Sequence, residues 1–408
     1  MKKTMLSAAL CGLTLLCTGT AVAADNSASG LSDGYVKIGV LSDMSGVYKA
    51  VEGPGAVVAA QMAIDDFGGK VLGKPIKLVS ADHQNKPDVA STEVRKWIDQ
   101  DGVDVIAGID NSAVGLAVQG LASDKHVITL NSGSGTSQLT EAKCTPYGIH
   151  YAYDTYSLPV GTATAIVRNG GKSWFFITAD YAFGHSLQKN TTAIVEKLGG
   201  TVVGSVKHPI GTTDFASYLL QAKASGADVV ALANAGQDTV NAIKQANAFN
   251  ITANQRLAGM LVFLTDVKAI GQKTAEGLEF TTAWYWNQND ETRAWSKRFF
   301  AKHKAMPTFI QAAVYSSVTA YLNAVKETGT DNSDAVRKAL GNMTINDMFV
   351  HGGKILPNGL MLHSMQLMQV KPQSESSGAW DLLKVVSTIP AKDAFIPLSK
   401  SACPLLHH

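Results

Sequence analysis

The sequence predicts an α/β protein built from two doubly wound, Rossmann-like lobes, and three observations carry that reading. Short β-rich runs and longer amphipathic helical runs alternate with little interruption from residue 36 onward. The same rhythm restarts near residue 158, after a stretch rich in aromatic and polar residues. About 385 residues remain once an N-terminal leader is set aside, too many for one ordinary core.

In the first unit, residues 36–41 read as a buried strand and 55–67 as a helix with apolar residues at helical spacing. A strand at 76–80 and a helix at 89–100, opened by Lys86-Pro87-Asp88, follow. Next come a strand at 103–109, a helix at 114–123 and a strand at 126–130. Such alternation builds a parallel sheet with helices on both faces. Residues 147–157 read as a crossing rather than a core element. The second unit runs helix 158–169, strand 173–178, helix 186–198 and strand 201–208, and the alternation continues through 215–224, 229–234, 239–249 and 256–261. A strand at 277–286, helices at 291–303 and 311–328, and strands at 361–370 and 380–387 complete the chain. Open parallel sheets bind ligands outside the carboxyl ends of their strands, so two facing sheets place the site in the cleft between them.

The first residues predict export. Lys2 and Lys3 precede an apolar stretch at 5–16, and Ala21-Val22-Ala23 supplies the small-x-small pattern of a cleavage site, with cutting after Ala23 or Ala24. The stretch is shorter than the roughly 20 apolar residues a membrane span needs. Lipid attachment at Cys17 is the rival reading, but Leu16 before it is not small. Removing the leader takes Lys2 and Lys3 away, so 33 basic residues face 33 acidic ones. A neutral chain gives no electrostatic case for nucleic acid or an anionic membrane. Cys11 and Cys17 leave as well, and the remaining pair, Cys144 and Cys403, predicts a disulfide in an oxidising compartment.

Several motifs in fixed order then become informative. Ile38-Gly39-Val40-Leu41-Ser42 through Ser45-Gly46, followed by Gly53-Pro54-Gly55, is one of them. NSGSGTSQLT at 131–140, TADYAFG at 178–184 and ALANAGQD at 231–238 are the others. Together they resemble the branched-chain-amino-acid-type solute-binding proteins of ABC transporters, over essentially the whole exported chain. The resemblance implies the type I periplasmic binding protein fold: two α/β lobes joined by three crossing strands, near 151–156, 281–286 and 353–357. The expected division is a leader at 1–23, a first lobe of 24–152 and 284–355, and a second lobe of 153–283 and 356–408, with the tail returning toward the first. It also implies a periplasmic protein, expected to be a monomer, that closes over a small molecule and docks on a membrane permease.

Candidate ligand contacts follow from loop position and from the resemblance. Ser132, Gly133 and Ser134, in the Ser/Gly run after a buried strand, offer backbone N–H groups and hydroxyls to an anion; the resemblance places a solute carboxylate there. Asn111 and Ser112 open the neighbouring helix, where an N-cap role competes with ligand contact. Tyr48 in the first strand-to-helix loop and Phe183 in the second lobe are expected as aromatic walls, surface and core placement being the alternatives. Asn234 and Gln237 are candidate hydrogen-bond donors, and Tyr285 at the second crossing a candidate ring contact. Members that bind amino acids carry an acidic residue after a second-lobe strand, whereas here 257–264 holds no acid before Asp266. An uncompensated ammonium in a buried site would cost several kcal/mol. The expected solute is therefore a carboxylate without an α-amino group, with Met260 and Phe263 pointing to an apolar or aromatic body. An amino-acid binder of the same family and a sensory ligand-binding module are the alternatives. No cofactor, metal or catalytic residue is expected: dinucleotide, Walker, HExxH and nucleophile-elbow patterns are missing from the sequence.

Overall fold

The computed structural model describes residues 30–406; the proposed leader at 1–23 lies outside the described residues. The first sheet contains β1 (Val36–Ser42), β2 (Lys70–Val71), β3 (Lys74–Asp82), β4 (Val105–Gly108), β5 (Ile128–Asn131) and β6 (Gly148–His150) in the order β2-β3-β1-β4-β5-β6. All its pairings are parallel except the short β2–β3 hairpin. Strands β4 and β5 are buried at every position, because helices cover both faces of the sheet. The helix Gly53–Asp66 packs against Phe309–Thr328. The latter begins in a reciprocal cap, where Gln311 N–H donates to Thr308 Oγ1 and Thr308 N–H to Gln311 Oε1.

The second sheet holds β7 (Ser173–Ala179), β8 (Thr201–His208), β9 (Val229–Ala233) and β10 (Arg256–Gly259), all parallel, in the order β10-β9-β7-β8. After it come β11 (Glu279–Thr282), β12 (Ile345–Asn346), β13 (His351–Ile355), β14 (Met361–Leu362), β15 (Met365–Val370) and β16 (Leu383–Ile389). These make two antiparallel sheets, β11-β15-β16 and β12-β13-β14. Thr281 in β11 clasps the helix Ser157–Arg168, its hydroxyl donating to Leu158 O at 2.8 Å and accepting from Thr162 N–H at 3.0 Å. The architecture is the two-lobed, doubly wound α/β fold that the sequence predicts.

Its details correct several element boundaries. Residues 151–156 are not a strand: Asp154 Oδ1 accepts the N–H groups of Tyr156 and Ser157, so the chain turns straight into the helix Ser157–Arg168. The strand expected at 277–286 stops at Thr282, and the one at 361–370 is broken at His363-Ser364, whose ring and carbonyl bond each other. Where a third crossing was expected at 353–357, the strand is His351–Ile355, with Pro357 already in the turn beyond it. Four helices, Leu264–Ile270, Gln272–Ala275, Ser333–Asn342 and Ala391–Ala394, are additional to the sequence reading.

Cys144 and Cys403 form a disulfide with Cα atoms 5.6 Å apart. It ties the C-terminal tail to the segment leading into β6. Glu141 holds the same tail, accepting from Ser401 Oγ at 2.9 Å and from Ala402 N–H at 2.6 Å. Among the described residues no helix is long and apolar enough to cross a membrane.

Candidate functional site

The carboxyl ends of β1, β4 and β5 open into three loops, and those of β7, β9 and β10 face them from the second sheet. Between these loops lies a cavity of about 10 Å³, room for a single water. Rings from both sides wall it: Tyr48, Tyr153, Tyr181, Phe183 and Phe263, with Val51, Leu261 and Ile310 filling the gaps. Behind the wall Phe263 stacks on Phe309 at 5.0 Å, and Tyr153 meets Phe309 edge-on at 5.3 Å.

Two hydrogen bonds fasten the facing loops. The hydroxyls of Tyr48 and Tyr181 bond each other, and Gln237 N–H donates to Val47 O at 3.1 Å. The second contact depends on Gly236, whose φ of +60° disfavours a side chain and whose Cβ would meet Val47 O at 2.5 Å. Tyr48→Phe or Tyr181→Phe should therefore weaken closure by about 0.5–1.5 kcal/mol. Small-angle scattering would read this as a shift toward a more open particle, and an unchanged profile in both variants would refute it.

Beneath the rings the floor is acidic. Asp110 lines the cavity and Glu52 lies beside it, both buried. Ser132 Oγ donates to Glu52 Oε1 at 3.0 Å, while Ser42 Oγ lies 2.9 Å from Asp110 Oδ2 and 3.3 Å from Glu52 Oε2. A hydroxyl has one proton to give. If Ser42 donates to Asp110, Glu52 must be the protonated partner that donates to Ser42. Burial, then the neighbouring Asp110 charge, holds the Glu52 carboxyl well above the ordinary carboxylate range. Asp110 takes Asp43 N–H at 3.1 Å and lies 2.7 Å from His83 Nε2. The Asn85 N–H donates to His83 Nδ1, which leaves the imidazole proton on Nε2, toward Asp110. Asp43 in turn accepts from Gly46 N–H and Tyr48 N–H at 2.6 and 2.9 Å, shaping the loop that presents Tyr48.

Of the residues singled out in the sequence, Tyr48, Gly133, Phe183 and Phe263 line this cavity. Gly133 has no space for a side chain: a Cβ would lie 2.7 Å from Asp110 Cα and 2.9 Å from Glu52 Oε1. The other loop polar groups are spent on the loops themselves. Asn111 caps the helix Ser112–Asp124 through Ala113 and Val114 N–H. Ser112 Oγ accepts from Gly135 and Thr136 N–H, Ser132 serves Glu52, and Ser134 Oγ lies 2.8 Å from both Ile109 O and Asn111 O. Asn234 is buried between His208 and Thr239, and Met260 lies fully buried beside the lining Leu261. Gln237 turns its side chain to solvent and to Asn241. Tyr285 sits with Trp380 and Leu383 by the β11-β15-β16 sheet, apart from the cavity lining. Sequence reasoning did not single out Glu52, Asp110, Tyr153 or Tyr181. Position at strand ends was the available signal for Asp110 and Tyr181, while Glu52 gave none.

A family of periplasmic binding proteins matches residues 35–379. The chain belongs to the periplasmic binding protein family. A periplasmic binding protein from Burkholderia mallei shares 50% identity over 91% of this chain and 99% of its own, with a TM-score of 0.90. A branched chain amino acid ABC transporter periplasmic ligand-binding protein from Burkholderia xenovorans LB400 shares 41% identity over 91% and 100% of the two chains, with a TM-score of 0.81. A solute binding protein of an ABC transporter from Rhodopseudomonas palustris BisB5, in complex with 3,4-dihydroxy benzoic acid, has a TM-score of 0.79 over 88% and 98%. At 20% identity that likeness shows the fold alone. The Leu/Ile/Val-binding protein homolog 6 of Brucella melitensis is 24% identical over 242 residues, 58% of this chain. The chain spans 61% of the length of that curated relative.

Proposed function

We propose that this member of the family is the periplasmic solute-binding component of an ABC importer, capturing a small aromatic carboxylate by closure of its two lobes. The observation that carries this is the set of five aromatic rings, drawn from both sides of the cleft, around one small cavity. A flat ring gains most from such walls, through offset and edge-on contacts worth about 0.5–1.5 kcal/mol per pair beyond the buried area. Asp110 prefers a hydrogen-bond donor, such as a ring hydroxyl, at the Gly133 end of the solute. The proposed lobes are 24–152 with 284–355 and 153–283 with 356–408, working as a monomer that presents its closed form to a membrane permease after export by a cleaved leader. In support, the helices Asp290–His303 and Phe309–Thr328 pack on the first sheet's helix Gly53–Asp66, while β11 lies on Ser157–Arg168. Closure then stabilises whichever solute contacts both lobes.

A second reading has its own observation. Asp110 is an acid lining the cavity, and it stands on the first-sheet side, not after a second-lobe strand. An α-ammonium facing it would find a counter-charge there. Calorimetry with benzoate, 4-hydroxybenzoate, cinnamate, an aliphatic acid and leucine separates the two. The aromatic acids should bind, the hydroxylated ones more tightly; tight leucine binding with no response to any aromatic acid would overturn the proposal in favour of the second reading.

A further inference from the structure

Outside the closed cavity, a groove of about 620 Å³ flanks the contact between Val47 and Gln237. Its size is that of an ordinary small-molecule site. One wall comes from the first lobe's Val47, Ala50 and Pro54, the other from the helices Gln237–Ala248 and Leu264–Ile270, with Trp380 closing one side. The lining is mostly apolar, yet two of its polar groups are unfinished. Asp238 is 1% exposed, and while its Oδ2 accepts from Gly211 N–H at 3.1 Å, its Oδ1 has no partner. Thr265 Oγ1, from the neighbouring helix, has none either. Buried polar atoms without partners are uncommon, and a buried carboxylate without a counter-charge is costly.

We propose that this groove is a second ligand site, distinct from the aromatic cavity, which takes a protonated amine carried on a small apolar body. The ammonium pairs with Asp238 and bonds Thr265 Oγ1, and the body lies along Val47, Ala50, Pro54 and Trp380. The groove's basic residues, Lys49 and His303, form no ion pair with Asp238, and burial lifts its carboxyl to about 7; an ammonium seated against Oδ1 supplies the missing partner. Because the walls come from both lobes, an occupant braces the closed form from outside whatever solute the inner cavity holds. The proposal is thus independent of the identity of that solute.

Phenethylamine is a suitable probe, with 3-phenylpropionate as the same body bearing the opposite charge. Calorimetry on the intact exported chain should show phenethylamine binding that persists when the inner cavity is saturated with an aromatic acid. Asp238→Asn keeps the acceptor for Gly211 N–H and should weaken phenethylamine at least tenfold while leaving aromatic acids unchanged. Ala50→Trp fills the groove from its exposed rim, away from the acid, and should abolish amine binding in a chain with unaltered thermal unfolding. The proposal is overturned if phenethylamine binds no better than 3-phenylpropionate, if a saturating aromatic acid displaces it, or if Ala50→Trp leaves its affinity intact. Failure of aromatic acids to bind wild type would count against the aromatic-solute reading alone, and leucine then serves as the saturating inner ligand.

Discussion

Replacing Cys144 and Cys403 with serine will cost about 2–4 kcal/mol of stability, and reductant will produce the same loss in wild type. The bond joins residues 259 apart in sequence, so in the chain-entropy account it removes a very large loop from the unfolded ensemble. Its place in the fold adds a second reason. The tail runs from β16 through the short helix Ala391–Ala394, which rests on Ser157–Arg168, and then back to the first sheet's Cys144 segment. Cutting it frees a strap that touches both halves. Cys403 is fully buried, and serine at that position would bury a hydroxyl with no assured partner, so alanine at 403 is the better control. Thermal unfolding with and without reductant provides the measurement. Wild type should shift downward, while the double variant should start low and ignore the reductant. A wild type whose thiols are shown to be free yet whose transition does not move would refute the expectation.

The framework of this molecule was legible in sequence because parallel strands buried on both faces read as short continuous apolar runs between amphipathic helices. β1, β4, β7 and β9 all announce themselves that way. The linking segments were harder, since their conformation is decided by single side chains acting at a distance of two or three residues. Asp154 turns an expected strand into a helix entry, and Phe263 followed by Asp266 starts a helix where an apolar run continues. The site divides along the same line. Tyr48, Gly133 and Phe183 were found because topology alone puts strand-end loops at the cleft. The serines expected as donors also serve their own loop, because a buried loop must satisfy its own backbone, and Ser112 and Ser134 bond there. Glu52 and Asp110 are 58 residues apart, and only folding reveals that they share Ser42.

That pair leads to the sharpest test of the site's electrostatics. Glu52→Gln should leave the protein within about 1 kcal/mol of wild type at pH 5, because a neutral carboxyl and an amide offer the same shape, one acceptor for Ser132 and a donor for Ser42. Glu52→Ala strips partners from both serines and should cost about 1–3 kcal/mol for each group left unpaired. The two variants should part further as pH rises. The Glu52 carboxyl is held above its unfolded value, so its contribution to stability is complete below about 4.5, declines by up to about 1.4 kcal/mol per pH unit above that, and is lost as pH rises through the folded value. Between pH 5 and pH 8, Asp154, raised to about 6 by burial, and Asp104 and Asp266, raised to about 7, push in the same direction, while His150, lowered to about 4 by burial, and His208 and His363, also lowered, push the other way at the acid end, so the difference between wild type and the glutamine variant is what isolates Glu52. Glutamine at 52 cannot ionise, and its urea midpoint should fall less steeply than that of wild type between those pH values, crossing above it at the alkaline end. If Glu52 is instead ionised and paired throughout, the glutamine variant will be weaker than wild type by a constant margin at every pH. With Glu52 neutral, Asp110 is the acid lining the cavity that the proposed solute's hydroxyl or ammonium would face.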